Sequence, residues 1–300
     1  MPTELPDTTA EFEAQRRLLR GLAYRMLGSR AEAEDIVQDS WLRWREVDRT
    51  QVRDARAYLS QTVTRLCLDR LQSAQKRREQ YVGVWLPEPL VDEATEYSPG
   101  PEATSAYAQD VSIAFMLALE RLSPLERAAF LLHDVFDVDF DEVASRLGRS
   151  EAAVRQLAAR ARQHLRAGQP RQVVEPPQAE RLLQAFAGAL VRGDVDALAA
   201  TLSDDARFLS DGGGVVSAVP KPLQGAALVA KTLTGFARLA DWTRMHLEPA
   251  TINGMRGAVM YDADGTAIQT IALEPSADGR IAAIYVTRNP HKLAHLHRRQ

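Results

Sequence analysis

The chain has 300 residues and a formal net charge of −3, with 45% hydrophobic and 26% charged residues. Those proportions exclude wholesale disorder, and the length fits two or three domains. No apolar run approaches the roughly 18 residues that span a bilayer, the nearest being 113–119. Residues 1–10 carry acids and two prolines, not the basic-then-apolar order of a signal peptide. The single cysteine, Cys67, excludes an intrachain disulfide framework and a Cys-rich zinc site, and a cytoplasmic location is expected.

The net charge conceals two basic blocks. Residues 53–80 hold seven basic side chains against three acids, and 143–168 hold six against one. Between them 81–120 carry seven acids and no Lys or Arg. A segregation of this kind is informative where the whole-chain charge is not.

In chain order, Phe12, Leu18, Leu22, Met26 and Leu27 keep helical spacing up to Gly28. A second helix is expected over 31–47, with Ile36, Val37, Ser40, Trp41 and Trp44 on one stripe and Glu34, Asp35, Gln38 and Asp39 elsewhere. Residues 48–54 read as a polar loop. No Gly or Pro interrupts 55–80, so one long basic helix is expected there, its arginines either merely solvated or laid along nucleic-acid phosphates. Residues 81–103, with Pro87, Pro89, Pro99 and Pro101, read as an acidic linker. Within it Trp85, Leu86, Pro87, Glu88 and Pro89 are too apolar for a free spacer and read as a docking element.

A second helical unit is expected over 104–168. One helix carries Tyr107, Val111, Phe115 and Leu122; another begins at Ser123-Pro124-Leu125-Glu126, an N-cap followed by proline at the first helical position. A short helix over 140–147, Gly148, and a helix capped by Ser150 form a helix-turn-helix pattern. Its second helix presents Arg155, Gln156, Arg160 and Arg162, side chains suited to guanine and adenine edges in the major groove.

After a linker at 169–178 the pattern becomes α+β over 179–293, followed by a tail at 294–300. Three helices and strands near 207–210, 215–219, 243–252, 258–261, 267–273 and 280–286 suggest an antiparallel meander wrapped over helices, a cone able to enclose a pocket. Asn253-Gly254, Asp264-Gly265 and Asp278-Gly279 are its hairpin turns. Asp211 beside Gly212-Gly213-Gly214, and His246, are the candidate general bases of an enzyme reading. His291, His295 and His297 read as a solvated tail, not a metal site.

Residues 18–80 resemble region 2 of extracytoplasmic-function (ECF) sigma factors in Ala33-Glu34-Asp35-Ile36-Val37-Gln38-Asp39 and in 58–71, and 121–166 resemble region 4. The third segment resembles the SnoaL-like branch of the NTF2-like superfamily. Trp85-Leu86-Pro87-Glu88-Pro89, Asp211-Gly212-Gly213-Gly214 and Asn289-Pro290-His291-Lys292-Leu293 resemble the signatures of the group in which the two are fused, the sigma-J-type group. Val215 and His291 depart from that pattern, which often has lysine and aspartate there.

The resemblance implies two all-α domains and a cone-shaped α+β domain, a non-enzymatic initiation factor and no cofactor. It implies that Asp35, Gln38 and Asp39 face core RNA polymerase, with the β′ clamp and β flap as contacts. Arg49, Arg53, Arg56, Arg65, Arg70, Lys76, Arg77 and Arg78 would melt and read the −10 element. Ser150, Arg155, Gln156, Arg160 and Arg162 would read the −35 element of promoter DNA. The linker motif, Asp211 to Gly214, Asn289 and Pro290 would form a regulatory contact replacing a separate anti-sigma factor, with an unknown small ligand as a further possible partner. Two alternatives remain from the residues themselves: a helix-turn-helix regulator with a sensor domain, and a cyclase or isomerase.

Overall fold

The computed structural model describes residues 8–79, 81–97, 110–166 and 176–297, without the side chains of 49, 73–79, 166 and 176. The chain forms two compact units, one of 1–79 with 93–169 and one of 80–92 with 170–300. The segment expected as a single linker, 81–103, is therefore divided between them.

In the first unit, α1 (Thr8–Leu27) is the central helix, packed by α2 (Arg30–Glu46) and α3 (Ala55–Glu79). Leu19, Leu22, Tyr24 and Met26 of α1 are buried with Ile36, Trp44, Leu59 and Val63. Ser29 starts α2 by accepting the Glu32 amide at 3.2 Å, one of the donors a helix N-terminus leaves unpaired. The expected loop at 48–54 contains a 3-10 turn, Arg49–Gln51.

A further 3-10 turn, Ala94–Tyr97, packs on α1, where the Tyr97 carbonyl accepts from the fully buried Arg25 at 2.6 Å. Burial draws the Arg25 pKa down to about 10, because the charged form loses its water. Gly21 is required at this crossing: a Cβ there would lie 2.4 Å from the Tyr97 oxygen.

Of the helix expected from Tyr107 through Leu122, the described residues form α4 (Ile113–Leu119), which Ser112 caps through the Phe115 amide. Tyr107 lies outside the described residues. Next comes α5 (Pro124–Phe130), opened by a capping box between Ser123 and Glu126 and continued by a π-helical turn, Leu131–Val135. Then α6 (Phe140–Leu147) and α7 (Glu151–Arg166) meet across Gly148 at φ +61°, a conformation glycine adopts without cost. Arg127, almost wholly buried, ties the two helical blocks together: it donates to the Met26 carbonyl at 2.6 Å and to Glu120 at 2.8 Å.

The second unit has α8 (Pro176–Arg192), α9 (Val195–Ala200) and α10 (Ala226–Leu239) with a six-stranded sheet. Its strands are β1 (Leu202–Asp211), β2 (Leu223–Gln224), β3 (His246–Ile252), β4 (Met255–Tyr261), β5 (Ala267–Pro275) and β6 (Ile281–Thr287), in the order β2-β1-β6-β5-β4-β3. Three differences from the sequence expectation have physical causes. The helix α8 begins at Pro176, inside the expected linker, since proline fits a first helical turn. The sheet is not a pure meander, because β1 lies parallel to β6 with Leu209 opposite Tyr285. Residues 215–219 are no strand: the amides of Val215 and Val216 both donate to the Gly212 carbonyl, spending in a turn the donors a ladder would need.

One sheet face packs on the helices through Phe186, Phe208, Leu233, Ile271, Leu273 and Ile284. Residues 80–92 join the same unit as an added edge. Val91 bridges Ile252, Asp92 N donates to Thr251 O at 2.8 Å and Asn253 N to Leu90 O at 2.8 Å. Residues 289–297 add α11 (Pro290–Leu293), capped by Asn289, and a bridge from His297 to Thr266. Of the three histidines expected in a solvated tail, His291 and His297 are exposed and His295 is half-buried near Glu88, with Leu293 and Leu296 buried beside them.

Candidate functional site

On α2 the side chains of Asp35, Gln38 and Asp39 are all exposed, while Ala33, Ile36, Val37 and Ser40 between them are buried. Helical periodicity produces that division, leaving a polar, acidic stripe open to a partner. Arg53, just before α3, and Arg56 and Arg65 on it are exposed; Arg70 is half-buried and comes within 3.7 Å of Glu32. The side chains of Arg49, Lys76, Arg77 and Arg78 lie outside the described residues. Another side of α3 is occupied: Arg146 of α6 donates to Ser60 Oγ at 3.1 Å and to Glu142 at 2.7 Å.

The α7 side chains differ in their commitments. Ser150 caps the helix through the Ala153 amide at 3.3 Å. Gln156 is exposed, and Arg155 is exposed while paired to Glu151. Arg160 lies 3.4 Å from Glu126 and Arg162 2.7 Å from Asp134. Burial acts to raise the Glu126 carboxyl, but hydrogen bonds from Ser123 and the Arg160 charge hold it below its ordinary value.

In the second unit the separate sequence motifs converge on Asp211, which is wholly buried. Its Oδ1 accepts from the Tyr81 hydroxyl at 2.5 Å and from Gly213 N at 3.0 Å. Its Oδ2 accepts from Leu86 N at 2.8 Å and from Lys292 Nζ at 2.7 Å. Lys292 also donates to the Leu86 carbonyl and lies 4.5 Å from the Trp85 ring centroid. Asn289 Nδ2 donates to the Tyr81 hydroxyl at 2.9 Å. Burial and the Asp211 carboxylate both push the Tyr81 hydroxyl pKa upward, because ionisation would place a second negative charge there.

The glycines of 212–214 are steric requirements of this junction. At Gly213, with φ +64°, a Cβ would lie 2.2 Å from the Asn289 amide nitrogen. Glu88 is buried 3.5 Å from His295. Trp85 to Pro89, Asp211 to Gly214, Asn289 and Pro290 are thus all in one unit. His246, the other candidate base, is exposed on β3 beside Glu248 at 3.2 Å.

Residues 12–77 match the model for Sigma-70 region 2, and 112–165 match that for Sigma-70, region 4. The ECF RNA polymerase sigma factor SigJ of Mycobacterium tuberculosis is 39% identical over 296 residues, covering 94% of this chain and 92% of that one. The chain belongs to the ECF sigma factors. The crystal structure of that SigJ superposes on this sigma factor with a TM-score of 0.71 at 36% identity, covering 95% and 98% of the two chains.

The sigma factor thus joins two helical sigma regions to a C-terminal mixed α/β domain. The solved complex of RpoE with the anti-sigma factor NepR from Bartonella quintana is 18% identical, covers 54% of this chain and 96% of that one, and has a TM-score of 0.40. Among the described residues of this sigma factor, no helix is long and apolar enough to cross a membrane, and no cluster of His, Cys, Asp and Glu could hold a metal.

Sequence reasoning missed Tyr81, Lys292 and Arg146. Lys292 stood inside the C-terminal motif, but nothing in the sequence ties it to Asp211, 81 residues earlier. The motif departures leave the network intact: Val215 and His291 are exposed, and Lys292 supplies the cation that meets Asp211.

Proposed function

We propose that Asp35, Gln38 and Asp39 bind the polymerase β′ clamp while region 4 meets the β flap. Arg53, Arg56, Arg65 and Arg70, with Arg49, Lys76, Arg77 and Arg78, engage the −10 element. Ser150, Arg155, Gln156, Arg160 and Arg162 engage the −35 element. The C-terminal domain regulates initiation in cis by holding 80–92, the stretch of chain that leads from region 2 towards region 4.

The observation that carries the regulatory part is the Asp211 junction. Docking of 81–92 through Tyr81, Leu86 and Leu90 holds the chain between α3 and the Ala94–Tyr97 turn, so opening the junction frees the chain that leads into that turn and on to α4. The Arg146–Ser60 contact must also break for region 4 to leave α3 and occupy a separate promoter element.

Catalysis is no part of this function. Asp211, the candidate base, spends its carboxylate on four donors.

The test is promoter-directed transcription by core polymerase with the full chain. Charge reversal at Asp35 and Asp39 should abolish initiation without changing the fold. The Asp211→Asn, Lys292→Met double variant should change transcript yield. Yields equal to the unaltered protein at every sigma concentration would remove the cis-regulatory role.

A further inference from the structure

Three side chains are stacked where the π-helical turn, α6 and α7 meet. The His133 ring, in the π-helical turn, covers the Phe140 ring with centroids 3.7 Å apart and planes inclined by 27°. The Arg155 guanidinium carbon lies 4.4 Å from the same Phe140 centroid. A ring covered at 3.7 Å has no room for a guanidinium on that side, so the two occupy opposite faces.

His133 is itself held, its Nδ1 lying 2.9 Å from the Val138 carbonyl, which can only accept. Phe140 is the first residue of α6, and Arg155 sits one turn into α7, so the stack spans both helices of the helix-turn-helix.

Glu151 completes the arrangement. Its Oε1 accepts from Arg155 Nε at 2.9 Å and from Nη2 at 2.5 Å. Those contacts use one edge of the planar fork and leave the Nη1–Nη2 edge for a bidentate acceptor, the pattern guanine offers through O6 and N7. An exposed arginine ordinarily samples many rotamers and loses that freedom on binding, whereas here stacking and the carboxylate fix the plane beforehand.

We propose that Phe140, backed by His133, is a positioning residue for −35 recognition: it holds Arg155 as a preset plane that reads one guanine. The proposal rests on the assignment of Arg155 to the −35 element.

The experiment measures competition among promoters carrying each single substitution in the −35 element, with the full chain bound to core polymerase. Arg155→Ala should flatten preference at one G·C pair, on the order of 10- to 100-fold. Phe140→Leu keeps an apolar side chain but removes the π face. It should reduce preference at that same pair by about three- to ten-fold and leave the other positions unchanged. Phe140→Tyr restores the face and the preference, and thermal melting verifies that all variants fold.

Full preference in Phe140→Leu, alongside its loss in Arg155→Ala, overturns the positioning role. An equal loss at every position reduces Phe140 to scaffold and overturns it too. Unchanged preference in Arg155→Ala removes the assignment of Arg155 itself, and the stack's role with it.

Discussion

Asp211 Oδ2 and Lys292 Nζ meet at 2.7 Å, with the carboxylate wholly buried and the ammonium nearly so. Because Lys292 also donates to the Leu86 carbonyl, this pair fastens the 80–92 segment to the C-terminal domain. Removing one member of a buried pair strands the other charge, at a cost of about 3–5 kcal/mol. Asp211→Ala should therefore lower the melting temperature and expose Tyr81 and Trp85 to chymotrypsin. Pairing Asp211→Asn with Lys292→Met should recover part of the stability. Cleavage no faster than in the unaltered protein would count against the fastening role.

Two glycines separate backbone strain from steric conflict. Gly213 and Gly254 both have positive φ, +64° and +75°, but only at Gly213 would a Cβ meet a neighbour, the Asn289 side chain. Alanine at Gly254 should cost on the order of 1–3 kcal/mol from strain. Alanine at Gly213 should cost more and also loosen Tyr81, which Asn289 contacts. Urea denaturation of the two variants gives the comparison, and equal losses would show that the Asn289 contact yields freely.

The capping box of α5 sets a pH dependence with a definite sign. The Glu126 carboxyl is held below its ordinary value of 4.5, so its stabilisation is complete above that value and is lost as pH falls through the lower folded value. Glu126→Gln should lower stability by about 1 kcal/mol near neutrality, the scale of a helix cap. Melting curves of the two proteins should converge as pH drops below about 4. A gap that stays constant down to pH 3 would contradict the assignment.

Cys67 is fully buried on α3, and burial raises its thiol pKa, with the Glu32 charge acting in the same direction. The thiolate is the reactive form, so the folded protein should resist alkylation at pH 8 and react promptly in urea. Rapid labelling of native protein would indicate that α3 opens readily from the rest of its unit.

Local chemistry was legible along the chain. The extent of α3, the start of α5 and the break between α6 and α7 follow from helical spacing, Ser123-Pro124 and Gly148, because caps and breakers act within a few residues of their own position. The acidic stripe of α2 follows from the same periodicity. Elsewhere local signals misled. Val215-Val216 has strand propensity, but its amides are drawn into the Gly212 turn, and the prolines of 87 and 89 exclude helix without excluding docking.

The sequence by itself determined the two basic blocks, the helix-turn-helix, the apolar linker motif and the glycine loop, since each is written in contiguous residues. Only the tertiary structure decided that β1 runs parallel to β6, that Arg146 reaches Ser60, and that Tyr81, Asp211 and Lys292 share one buried junction. The side-chain contacts among these join residues between 81 and 130 apart. At such separations spacing carries no information about contact, and burying a carboxylate becomes tolerable only once every donor around it is in place.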